Sequence, residues 1–181
     1  VLPRRTNIIS LAETGDGRIL AGSFGEGLWV LDADGSRPFQ IDEQGGLSNG
    51  SILSVAVAGD TIWLATLGGV QYCAGGKWNF RPFAELGAGY VYKIVADAGG
   101  RVWFGADGMG LSVLEKGKWR RLDAGFEKAI KTVTDICTDE QGQIWFISPT
   151  YSWLTVSVLS YSNTPMYLAR SFLQRPTTSM P

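Results

Sequence analysis

The chain carries two cysteines, seventeen Asp and Glu, sixteen Lys and Arg, and no histidine. The missing histidine narrows its chemistry at once, because Ser-His-Asp and Cys-His catalysis, imidazole-held zinc and proton relay near neutral pH all need that side chain. Three carboxylates, Glu13, Asp97 and Asp139, stand at the ends of apolar runs and just ahead of Gly-containing turns. A carboxylate in that place accepts the free N–H groups of the turn, so its expected role is architectural rather than acid–base. Asp32-Ala-Asp-Gly35 looks like the opening of a calcium loop, but Ile41 occupies the neighbourhood of the closing carboxylate, so a hairpin turn is expected and no metal. Cys73 and Cys137 lack CxxC spacing and are expected to be two buried thiols. Asn49-Gly-Ser51 forms a glycosylation sequon and is read as a turn. No GxGxxG, Gly-Lys-Ser/Thr or HExxH motif occurs, so no cofactor is expected.

The elements that must position these groups are set by composition and period. The chain has 181 residues, 45% apolar and 18% charged, which suits one folded domain. A formal net charge of −1 gives no electrostatic reason to expect nucleic acid as a partner. The longest nearly uncharged apolar stretch, Tyr151 to Tyr161, is too short to span a bilayer, so no membrane insertion is expected. No signal-like apolar run is visible in Val1 to Thr6. Glycine is abundant, 24 residues, and none falls after Gly142. Together with the Ser, Thr and Pro content from Tyr151 onward, this sets a boundary near Thr150.

A repeat runs through the first 150 residues. Setting Thr14–Leu31 against Asp97–Leu114 matches Gly17 with Gly100, Arg18 with Arg101, Gly22 with Gly105, Gly25 with Gly108, Gly27 with Gly110, Leu28 with Leu111, Val30 with Val113 and Leu31 with Leu114. That offset is two periods of about 42 residues. Trp63, Trp103 and Trp145 mark the beat, with Leu20 in the first unit, and Gly-Lys-Trp recurs at Gly76–Trp78 and Gly117–Trp119. Each unit reads as a four-stranded antiparallel meander whose second strand is apolar on both faces. Such a sheet cannot bury itself, so the units must stack, and radial stacking predicts an all-β fold, a β-propeller of about four blades. The recurring tryptophans are then core between blades. The blades are placed near residues 7–48, 49–88, 89–130 and 131–150. Residues 151–181 are expected to form a non-repeating tail with one strand, Trp153–Ser160, and a short helix around Met166–Gln174 ending before Pro176.

The segments Ile94-Val-Ala-Asp97, Gly100-Arg-Val-Trp-Phe-Gly105 and Gln44-Gly-Gly-Leu-Ser-Asn49 ahead of Ile52–Val55 resemble the two-component regulator propeller repeat. The resemblance covers Asn7 to Ile147. It implies the periplasmic or extracytoplasmic sensor region of hybrid histidine kinases and related receptors. Members of that family usually carry six to eight units per ring, so it also implies an incomplete ring or an excerpt of a larger propeller. The uncovered end faces are expected to include Leu20 at one end and Trp145, Phe146 and Ile147 at the other. Self-association or further blades would cover them, and a tight four-bladed closure is the minor alternative.

A residue that recurs in several units is architectural, while one that breaks the repeat on a loop is a candidate for function. In a meander, the loops joining strands two and three emerge on the same face as the loops between blades, where propeller sites lie. The non-repeating residues there are Phe24, Glu26, Phe83, Tyr90, Tyr92, Lys93, Asp107, Met109, Phe126, Lys128 and Tyr151. Aromatic and mixed charged groups suit a small polar ligand, a glycan-derived oligosaccharide or a peptide. The expected function is therefore non-catalytic ligand sensing, with a protein-binding scaffold or a propeller enzyme such as a lyase as the alternatives.

Overall fold

The computed structural model describes residues 5–34, 37–122, 130–150, 153–160 and 167–174. Among the described residues, sixteen strands form four antiparallel sheets in strict chain order. The first sheet is β1 (Ile8–Glu13), β2 (Ile19–Ser23), β3 (Leu28–Leu31) and β4 (Phe39–Ile41). The second is β5 (Ile52–Ala58), β6 (Thr61–Thr66), β7 (Gly69–Ala74) and β8 (Lys77–Pro82), followed by a single helical turn, α1 (Phe83–Leu86). The third is β9 (Val91–Ala96), β10 (Val102–Ala106), β11 (Gly110–Glu115) and β12 (Lys118–Arg121). The fourth is β13 (Asp135–Thr138), β14 (Ile144–Thr150), β15 (Trp153–Ser160) and β16 (Tyr167–Gln174). The first strands β1, β5, β9 and β13 lie side by side, and the sheets diverge from them towards their fourth strands.

The tail differs from its expectation. Residues 151–181 do not hold one strand and a helix, because Tyr167–Gln174 is a strand paired along β15 from Leu154↔Gln174 to Ser160↔Tyr167. An isolated helix of about nine residues is marginal in water, whereas the free edge of β15 offers a row of unpaired backbone groups. Residues 131–150 supply only half of the fourth sheet, and the segment beyond Thr150 completes it.

Side-chain alternation decides what each sheet buries. Leu20, Val30, Ile52, Val55 and Leu64 fill the seam between sheets one and two. Trp63, Val70, Ile94 and Phe104 fill the next, where Trp63 and Phe104 meet edge to face at 5.7 Å. Trp103, Val113, Ile136, Ile144 and Phe146 fill the third. Leu20 and Phe146 are 1% exposed. They are therefore not part of the uncovered end faces as expected, since each points inward, at sheet two and sheet three respectively. The outward residues of the first sheet include Ile9 and Leu11, 46% and 65% exposed. Trp145 and Ile147 are the half-buried outward residues of β14. The cysteines also depart from expectation: both are free thiols, Cys73 half-buried and Cys137 exposed, because Cys137 pairs with Trp145 on that outward face.

Polar side chains fasten the turns and seams. Asp97 Oδ1 accepts the N–H groups of Gly99 and Arg101 at 2.8 and 3.1 Å, while Oδ2 accepts Arg101 Nε at 2.6 Å and Trp103 Nε1 at 2.7 Å. Asp139 repeats this with Gln141, Gln143 and Trp145 Nε1, the last at 2.7 Å. In the first sheet the equivalent residue is Thr14, not Glu13, because Glu13 is paired with Ile19 inside the ladder and the turn begins after it. Thr14 Oγ1 accepts the Arg18 N–H at 3.0 Å. Ser10 Oγ accepts the Val55 N–H, and Ser54 Oγ the Ile94 N–H, so the first strands are pinned across two seams. Gln71 holds the 44–49 loop, accepting from the Ser48 N–H and donating to the Gly46 carbonyl. Gly110, at φ 63°, has no room for a side chain, since a Cβ there would collide with the Ile130 carbonyl oxygen.

Candidate functional site

The seam between sheets two and three carries the densest group of repeat-breaking residues. After β8, Pro82 starts the helical turn α1, and Gly87 ends it in the left-handed region at φ 67°. The chain then runs back over the β10–β11 loop. There Gly89 N–H donates to the Asp107 carbonyl at 2.9 Å, and Asp107 N–H donates to the Tyr90 carbonyl at 2.8 Å. The third approach comes from the segment before β13, where Val133 N–H donates to the Ala106 carbonyl and Thr132 Oγ1 donates to Asp107 Oδ1 at 2.7 Å. Asp107 therefore stands where the loops of sheets two, three and four converge.

Around it lies an aromatic shelf. Phe83 and Tyr90 meet edge to face at 5.6 Å, and Tyr90 and Tyr92 lie 6.3 Å apart. Tyr90 is 46% exposed. Burial pushes the Tyr92 phenol above its ordinary range, with the Asp107 carboxylate and Tyr90 adding to the shift, so Tyr92 stays a neutral hydrogen-bond donor at physiological pH. Asp107 Oδ2 has no hydrogen-bond partner among the described residues, while Oδ1 is held by Thr132. An open carboxylate oxygen, phenolic hydroxyls and an exposed ring can together hydrogen-bond and stack on a polyhydroxylated ring.

The structure distributes the other candidates differently. Met109 is 6% exposed and belongs to the seam core. Lys93 stands at the first-strand position held by Ser10 and Ser54 elsewhere, and its Nζ lies 3.6 Å from Asp135 Oδ1 across the third seam. Phe24, 49% exposed, and Glu26, whose carboxylate accepts the Thr6 hydroxyl at 2.8 Å, sit on the β2–β3 loop over the first seam. Phe126, Lys128 and Tyr151 lie outside the described residues. Thr132 is the residue that sequence reasoning missed. It follows a stretch without turn or strand signals, and only its bridge to Asp107 places it.

No family model matches the chain, and no curated protein matches it. Solved structures do. The extracellular domain of the hybrid two-component system BT4673 from B. thetaiotaomicron aligns with 93% of the chain at 18% identity and TM-score 0.66. A streptogramin B lyase aligns with 98% at 14% identity and TM-score 0.67, and YCF48 bound to the D1 peptide with 86% at 16% identity and TM-score 0.63. The four sheets are blades of a β-propeller. Every blade is a meander stacked on the next along its first strand, as the repeat implies. The chain spans 23% of the length of that extracellular domain, 57% of the lyase and 52% of YCF48. Among the described residues no helix is long and apolar enough to cross a membrane.

Proposed function

We propose that this chain is a non-catalytic ligand-sensing part of a bacterial two-component-type sensor propeller, acting outside the cytoplasm. Its ligand is a small polyhydroxylated molecule of the glycan-derived class, bound on the loop face between blades two and three. One observation carries the reading: Asp107 keeps a carboxylate oxygen without a hydrogen-bond partner among the described residues, beside the exposed Tyr90 ring and the Tyr92 phenol, at the meeting point of three loops. The extracellular domain of a hybrid two-component system with the same fold supports the sensing role and the compartment. YCF48, solved with a peptide, supports a second reading as a protein-binding scaffold.

Calorimetric titration of the chain with a panel of neutral mono- and oligosaccharides tests the proposal. A sugar that binds the parent chain and is lost in both Tyr90→Ala and Asp107→Asn bears it out. Binding that both variants keep, or no binding by any sugar, overturns it. Turnover of a panel member would point to the lyase-like alternative instead.

A further inference from the structure

The two ends of the blade series carry the same kinds of face that every internal seam joins. Leu20, Trp63 and Trp103 each look from the second strand of one blade towards the next, where Val55, Ile94 and Ile136 meet them from the first strand. Residues paired across an antiparallel ladder share a face. Cys137 is paired with Trp145 on β13 and β14 as Val95 is with Trp103 on β9 and β10, so blade four offers a forward face that no following blade receives among the described residues. Leu11 is paired with Ala21 as Val55 is with Leu64, so blade one offers the matching rear face, and half-buried Ile19 and Leu31 extend it.

A second observation sits on that rear face. Ala21 is paired with Trp29 as Leu64 is with Gln71, so Trp29 holds the register place of Gln71. The Gln71 amide donates across its seam to the Gly46 carbonyl, on the loop that leaves the preceding blade. Trp29 Nε1 is buried and has no acceptor among the described residues. A buried N–H without an acceptor costs free energy, and in blade two the acceptor for this place comes from the blade behind. We propose that a second copy of the chain supplies that blade: its blade four, led by Trp145 and Ile147, docks on Leu11 and Trp29 of blade one. The joined faces are unlike, so the contact runs head to tail and closes only if the rotation allows. Two copies bring eight blades, within the range of roughly four to eight found in propeller rings, so the two copies close on each other through two such contacts. Pairing obeys mass action, and at the low concentrations of an unfolding experiment the copies stand apart.

The test is sedimentation equilibrium of the chain over a range of concentrations. The mass is expected to rise from that of one chain to that of two and to stop there. Leu11→Arg and Ile147→Arg each place a charge on one of the two faces and should each weaken pairing about tenfold or more. Both positions point outward from the chain, so unchanged unfolding in dilute solution separates lost pairing from lost folding. Alkylation gives a second readout. Cys137 is exposed beside Trp145 on the docking face and should react more slowly as the copies pair, while half-buried Cys73, on blade two, keeps its rate. A chain that stays single at every concentration, or that grows into an open series of larger species, overturns the proposal. Pairing that only one of the two variants disturbs also overturns it, because like faces would then be meeting.

Discussion

Blade one and blade three expose the same repeat position to different surroundings. Leu11, Val55, Ile94 and Ile136 each sit on a first strand, opposite Ala21, Leu64, Phe104 and Phe146 respectively. Val55, Ile94 and Ile136 are 5%, 1% and 2% exposed, because each faces a preceding blade, whereas Leu11 is 65% exposed. The opposite surface varies in the same way. Trp103, facing blade four, is fully buried, while its repeat partner Trp145 is half-buried on the outward side of blade four. An apolar residue at a given place in the repeat is thus core only where a second sheet supplies the other wall, which is the physical meaning of a stacked-repeat architecture.

The largest expected effect comes from the tryptophans. Trp103→Ala should cost about 3–5 kcal/mol of stability, from lost burial and the cavity it leaves. Trp145→Ala should cost clearly less, although both indoles donate to an aspartate at 2.7 Å. Equal losses in denaturant unfolding would show that the aspartate bond, not the covering blade, sets the value of this position.

Next come the first-strand residues. Ile94→Ala should cost about 2–5 kcal/mol, and Leu11→Ala no more than about 0.5 kcal/mol, the usual range for a surface substitution. A Leu11→Ala loss as large as that of Ile94→Ala would mean that the outer face of blade one is covered in solution, by another copy of the chain or by further blades. Sedimentation of the two variants beside the parent chain would tell those cases apart.

The smallest effect sharpens the comparison at the turns. Burial opposes ionisation of Asp97, but the hydrogen bonds from Trp103 and Arg101 outweigh it and hold the carboxyl below its ordinary range. Asp139 is lowered chiefly by the Trp145 indole. A carboxylate whose folded pKa is depressed adds stability that is present above its unfolded value of about 3.9 and is lost as pH falls through the folded value. Melting temperature should therefore drop in the acid range. Asp97→Asn should cost about 1–3 kcal/mol at neutral pH and flatten that acid limb. An Asp97→Asn chain that melts like the parent at neutral pH would remove the turn cage from the account.

Much of this was legible in the chain because it is local. The Asp97–Trp103 spacing recurs as Asp139–Trp145, and in both places the indole returns to the carboxylate that opens the turn. The first unit was misread: Glu13 was expected in the place of Asp97, whereas Thr14 holds it, because Glu13 is still paired inside the β1–β2 ladder. The fourth blade was harder to read. Tyr167–Gln174 has no glycine turn and no tryptophan beat, so its strand character comes from the edge of β15 and not from its own sequence. The loop-face candidates were half legible: Tyr90, Tyr92 and Asp107 break the repeat in plain view, but Thr132 joins them only through a long-range bridge.

The sequence by itself determined the period, the strand order within each unit and the chemistry of the tight turns, because these depend on residues within a few positions of one another. Tertiary structure alone decided which face of each sheet is covered, because burial needs a partner surface about 40 residues away in the repeat. That is why Leu20 and Phe146 turned inward, why Met109 became core, and why Ile9 and Leu11 stand in solvent.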